Sequence, residues 1–310
     1  MDIAWIGAAN GSGSNHWGSR DGAHFLKEQL SGSDLIHLAR MPIIEEDPTG
    51  FAMKALPALL DFNHRLALKT ANAHRAGDFP VIVGGDHSCA IGTWSGIFAR
   101  QSRKLGMLWI DAHMDAHTFN TSETGNIHGM PLATLLGRGF APFVNLLEEG
   151  PKLDPKRTVL FGVRSYERGE AELLQSLNVR VYLMEEIFDR GFAVCFREAS
   201  DRVRGGGGLP FGISLDLDAL DPAQVPSVGT PVRAGLDAGE LLRAFPQILG
   251  DEDLQAFELV EFNPHEDVAD RGLSFVIEVL NLVQNARLDL SVAALRPYTQ
   301  KRRPPAGLRP

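Results

Sequence analysis

The chain has 310 residues, 44% hydrophobic and 22% charged, with 39 acidic side chains against 30 basic ones and a formal charge of −9. That length can bury a sizeable core, and the composition excludes collagen, coiled coil and extended disorder. The acidic balance argues against a nucleic-acid partner, which needs clustered Lys and Arg, and two cysteines outside any CxxC pair, Cys89 and Cys195, exclude a disulfide framework or thiolate zinc site and fit a reducing compartment.

The first residues, Met1 to Gly7, lack a basic segment and a long apolar stretch, so no secretory signal is expected. No run approaches the ~20 apolar residues that span a bilayer. The expectation is a soluble, cytoplasmic protein.

In chain order, short apolar runs predict strands at residues 3–8, 35–41, 80–83, 106–110, 158–163, 179–183, 211–215 and 256–260. Longer amphipathic stretches between them predict helices at residues 52–75, 90–100, 170–177, 240–248 and 268–286. Several strand runs are unbroken rather than alternating, the pattern of strands covered on both faces. Alternation over the whole length predicts an α/β fold, a mostly parallel sheet of about eight strands with helices on both sides. No linker divides it, so residues 1–310 read as one domain. The glycine run at 205–208 reads as a loop ending a helix. Gly11-Ser12-Gly13 after the first strand lacks the third glycine of a dinucleotide fingerprint, since His16 stands there.

Four predicted strands run directly into chemistry: Gly84-Gly85-Asp86-His87-Ser88, Asp111-Ala112-His113-Met114-Asp115-Ala116-His117, Ser214-Leu215-Asp216-Leu217-Asp218, and Glu261-Phe262-Asn263-Pro264. Ligands of open parallel sheets bind outside the carboxyl ends of strands. In an extended segment, alternate residues share a side, so Asp111, His113 and Asp115 would converge, as would Asp216 and Asp218. Four carboxylates aimed at one space repel one another unless cations compensate them. A pair of divalent ions removes the conflict, and imidazole with carboxylate, without thiolate, suits manganese or a similar ion.

These motifs, with Gly229-Thr230-Pro231-Val232, resemble those of the ureohydrolase superfamily, which includes arginase and agmatinase, in order and spacing over nearly the whole chain. The resemblance implies a three-layer α/β/α fold and a binuclear manganese hydrolase that releases urea from a guanidinium group. It implies that His87, Asp111, Asp115 and Asp216 bind one of two manganese ions and His113, Asp111, Asp216 and Asp218 the other, Asp111 and Asp216 bridging. Hydroxide held between the ions would attack the guanidinium carbon, with Glu261 paired to the guanidinium nitrogens and His128 shuttling the proton.

His128 lies in Thr124-Gly125-Asn126-Ile127-His128-Gly129-Met130-Pro131, similar to the arginase substrate loop, which points to conversion of L-arginine to L-ornithine and urea. Arginases place Asn, Ser and Asp where this chain has His117, Thr124 and Glu167. These three and Asn126 are the substrate-binding candidates, and His117 departs most from the pattern. A third metal ligand at His117 is not expected, because six ligands already serve two ions. Agmatine, a guanidino acid or a formimino amino acid is the alternative substrate. A two-metal phosphoesterase would need a cation at the site, for which only Arg164 is near. The resemblance also implies a homo-oligomer, trimer or hexamer, and no membrane partner. The basic, Pro-rich run Lys301 to Pro305 reads as a solvated end.

Overall fold

The computed structural model describes residues 2–29, 40–101 and 103–295. Eight strands form one sheet: β1 Ile3–Ala9, β2 Ile43–Glu45, β3 Phe79–Val83, β4 Leu105–Ile110, β5 Leu153–Val163, β6 Arg180–Leu183, β7 Phe211–Asp216 and β8 Leu254–Val260. Their order is β2-β1-β3-β8-β7-β4-β5-β6, and every pairing is parallel. The expected strand at 35–41 falls, for 35–39, outside the described residues, as does the basic run beyond 295; the second strand is Ile43–Glu45, beside β1.

Side-chain alternation along the central strands builds a core on each face. In β4, Leu108 and Ile110 join Phe161, Phe192, Phe196 and Phe245 on one side. Met107 and Trp109 join Trp94, Leu132 and Leu174 on the other. The sheet is thus sandwiched, as its unbroken apolar strands predict.

Close approach explains two runs of small residues. The helix Ala90–Phe98 is buried at every position but its last, and Gly92 and Gly96 lie against the helix Leu56–Arg75. A Cβ on either would come within 2.7 Å of Asn63 O or 2.5 Å of Ala67 O. The glycine run at 205–208 ends the helix Phe192–Arg204, with Gly205 in the left-handed region at φ 61°. That is the helix the glycine run was expected to end, and its Phe192, Cys195, Phe196, Ala199 and Val203 form one buried face. The expected helix at 240–248 divides into Ala238–Ala244 and Pro246–Leu249, because Pro246 lacks the N–H to continue the ladder. Among the described residues, no helix is long and apolar enough to cross a membrane.

Candidate metal centre and its cleft

Strands β3, β8, β7 and β4 lie side by side, although 175 residues separate the first residues of β3 and β8, Phe79 and Leu254. Their carboxyl ends therefore deliver His87, Glu261, Asp216 with Asp218, and Asp111 with Asp115 into one space. His87 Nδ1 lies 3.3 Å from Asp111 Oδ2, 3.0 Å from Asp115 Oδ2 and 3.1 Å from Asp216 Oδ2. His113 Nδ1 lies 3.0 Å from Asp218 Oδ2 and 3.5 Å from Asp111 Oδ1. All six predicted ligands are brought together.

The backbone achieves this differently from simple alternation. Asp115 has φ 48°, and Leu217–Ala219 form a 3-10 turn rather than an extended run. Asp111 and Asp115 consequently share His87, while His113 turns to Asp218. Glu261 also has positive φ, 63°, and its N–H is held by Gly85 O at 2.8 Å. Such conformations cost ~1–3 kcal/mol each and persist only where the surroundings enforce them.

The electrostatics of the cluster show what the donor set suits. His87 Nδ1 and Asp115 Oδ2 are buried and make no hydrogen bond. Burial and then the charge of Asp111 push the Asp115 carboxyl up to about 6. Burial, with Asp218 and Asp111, raises Asp216 well above the usual carboxylate range. Burial works against charge on Asp111 too, but contacts with His113 and His87 outweigh it and hold that carboxyl low. His87 rises despite burial, because three aspartates face it. Orphaned donor atoms of imidazole and carboxylate type, in mutual conflict, fit divalent cations.

Supporting residues, to which the sequence assigned no role, lock the ligands. His87 Nε2 meets Ser214 Oγ at 2.9 Å, and Ser214 Oγ donates to Glu258 Oε2 at 2.7 Å. Trp94 Nε1 donates to the same Glu258 oxygen at 2.9 Å. Thr230 Oγ1, from the Gly-Thr-Pro-Val motif, donates to Asp218 Oδ2 at 3.0 Å. A signal existed: Glu258 is a lone acid inside an apolar strand, and Ser214 shares its side of β7 with Asp216.

A cleft opens onto this cluster, lined by His113, His117, Thr124, Asn126, His128, Glu167 and Glu261 among others. His128 Nδ1 sits 3.1 Å from Glu261 Oε1, which also accepts from His87 N at 3.0 Å. Burial disfavours charge on His128, but the Glu261 hydrogen bond and charge outweigh it and push the imidazole up to about 9. At the outer end, His117 Nε2 meets Glu167 Oε2 at 2.7 Å and Glu170 Oε2 at 3.4 Å, and its Nδ1 meets Thr121 Oγ1 at 3.1 Å. Glu167 and Glu170 also form the capping box of the helix Arg168–Ser176. Burial and the Glu167 neighbour push Glu170 up to about 8. Arg164 spends its guanidinium on backbone carbonyls, among them Asp218 O and Val232 O at 2.7 Å each, so no phosphate clamp is present there.

A parallel α/β sheet with imidazole and carboxylate donors converging beyond adjacent strands defines the metal-dependent hydrolase type of site. The model of the arginase family matches residues 1–282, and the chain belongs to that family. It is accordingly a hydrolase acting on C–N bonds of linear amidines. The chain is 37% identical over 269 residues to an arginase of Bacillus subtilis, covering 86% of this chain and 90% of that one. It is 39% identical over 236 residues to an arginase of Brevibacillus brevis, covering 76% and 78%. The crystal structure of Bacillus subtilis subsp. subtilis arginase superimposes with a TM-score of 0.84 at 32% identity, over 91% of this chain and 98% of that one.

Proposed function

We propose that this chain converts L-arginine to L-ornithine and urea as a single cytoplasmic catalytic domain, in a homo-oligomer, with two manganese ions per chain. His87, Asp111, Asp115 and Asp216 would hold one ion, and His113, Asp111, Asp216 and Asp218 the other. The observation that carries the reading is the His128–Glu261 pair, 3.1 Å apart at the floor of the cleft beside the buried donor cluster.

When bound, the metal pair supplies Lewis-acid activation of water at neutral pH. Glu261 stays anionic: burial opposes this, but His128 outweighs it and holds the carboxyl below its ordinary value. It accepts N–H donors of a guanidinium and fixes the carbon against the metal side. His128, tied through Nδ1, keeps Nε2 for delivering a proton to the leaving amine. Thr124, Asn126, His117 and Glu167 line the outer cleft where the far end of the substrate lies, and Asn126 Oδ1 is buried there without a partner.

A second reading has one observation in its favour. Glu167 is already engaged by His117 Nε2 at 2.7 Å, so an α-ammonium group must compete for it. A guanidino acid, with a carboxylate and no ammonium, meets no such competition. The deciding experiment is a panel of L-arginine, agmatine, guanidino acids and formimino amino acids on manganese-loaded protein, following urea and formamide. Preference for L-arginine is expected; turnover of none of these substrates rejects the proposal.

A further inference from the structure

The turn after β1, Asn10 to Ser14, makes no part of the cleft wall, yet both its backbone and its side chains are closely hydrogen-bonded. Gly11 N and Ser12 N donate to Glu46 Oε2 at 3.1 and 3.2 Å, and Ser12 Oγ donates to Glu46 Oε1. Gly13 N donates to Asp86 Oδ2 at 2.8 Å. Asp86 Oδ1 in turn accepts from Asn10 Nδ2 at 2.9 Å and Ser88 N at 3.0 Å. Both carboxylates are buried, Asp86 completely and Glu46 to 2% exposure. Neither makes a salt bridge with Lys, Arg or His among the described residues; successive backbone N–H groups hold them instead.

Burying two carboxylates without a direct salt bridge is an expensive way to finish a loop. The turn's carbonyls are used as well: Asn10 O accepts from Asp86 N at 3.0 Å and Ser12 O from Ala52 N at 2.8 Å. Gly13 O accepts the backbone N–H of His128 at 3.1 Å. The neighbouring residue, Gly129, is held at its carbonyl by His117 N at 2.9 Å. The short turn Ile127–Gly129 is thus pinned on both sides, and the His128 side chain reaches Glu261 from that fixed base.

We propose that Asp86 and Glu46, acting through Gly13, are positioning residues that set where the His128 imidazole stands. Gly13 is required for close approach rather than for an unusual φ. A Cβ there would lie 2.7 Å from Asp86 Oδ1 and 2.8 Å from Ser88 Oγ, so a side chain forces the turn and the buried Asp86 carboxylate apart, which loosens the base that anchors His128. The Gly11-Ser12-Gly13 run, which fails as a nucleotide fingerprint, is accounted for as this cradle. The inference rests on the proton-transfer role proposed for His128.

The test uses Gly13→Ala, with Glu46→Gln as a second variant on the side of the turn away from the metal ligands. Gly13→Ala is expected to lower kcat on the order of 10- to 100-fold, the cost of a displacement near 1 Å, with KM and bound manganese unchanged. Added imidazole should restore part of the rate, as it should for His128→Ala, and should not do so for Glu261→Gln. Glu46→Gln should show a smaller loss with the same response. Wild-type rates in both variants, rate loss that follows metal loss, or loss without any response to imidazole would overturn the inference. Ring-nitrogen NMR signals of His128, which need no substrate, should shift in both variants. If the wild type hydrolyses no guanidine, the reading of the site fails, and these signals still decide the positioning.

Discussion

Trp109 lies flat on His87, with ring centroids 4.2 Å apart and planes 9° from parallel, and its indole Nε1 donates to Asp111 Oδ2 at 2.9 Å. One side chain therefore orients two ligands, fixing the imidazole plane by contact and the carboxylate by a hydrogen bond. Replacing Trp109 by Phe keeps a ring against His87 and removes the donor. Loss of such an outer partner weakens metal binding roughly 10- to 100-fold. A calorimetric manganese titration of Trp109→Phe should show the lower end of that range, because the stack survives.

Removing metal should destabilise the whole fold. The donor cluster joins β3, β4 and β7, so its repulsion without cations acts across the centre of the sheet. Ligand linkage stabilises by ~2.7 kcal/mol when free metal is a hundredfold above its Kd. Tm should drop on exhaustive chelation and rise steadily with added manganese. A Tm indifferent to chelator would contradict a metal centre here.

His128 gives a pH signature in metal-free protein. Folding raises its pKa from 6.5 to about 9, burial being outweighed by Glu261. A group with a raised folded pKa contributes its full stabilisation below the unfolded value and loses it as pH climbs through the folded one. The Tm advantage of wild type over His128→Ala should therefore be largest below pH 6.5 and shrink up to about pH 9. A gap that widens over this range would reverse the assigned sign.

Gly212, in β7, lies under Trp94, where an added Cβ would come 2.1 Å from the indole ring. Neither a buried strand nor a buried tryptophan can move away cheaply in a close-packed interior. Gly212→Ala should cost ~1–3 kcal/mol of unfolding free energy, the usual penalty of overpacking. Urea denaturation of the metal-loaded protein measures it.

Much of the site is legible in the chain because its residues cluster at strand ends. His87 follows β3, Asp111 follows β4, Asp216 ends β7 and Glu261 follows β8, and each junction is marked by an apolar run meeting polar side chains. The strand Ile43–Glu45 escapes the same reading, since an element of three residues owes its form to packing.

By itself the sequence determined the chemistry on offer, six donors of imidazole and carboxylate type, and a parallel sheet to display them, because ligand type and hydrophobic period are local properties. Only the tertiary structure decided that β3, β8, β7 and β4 are neighbours, that Ser214 faces Glu258 across β7 and β8, and that His117 spends its Nε2 on Glu167. Those are pairings between distant segments, set by how whole strands and helices bury their surfaces against one another, and no local pattern encodes them.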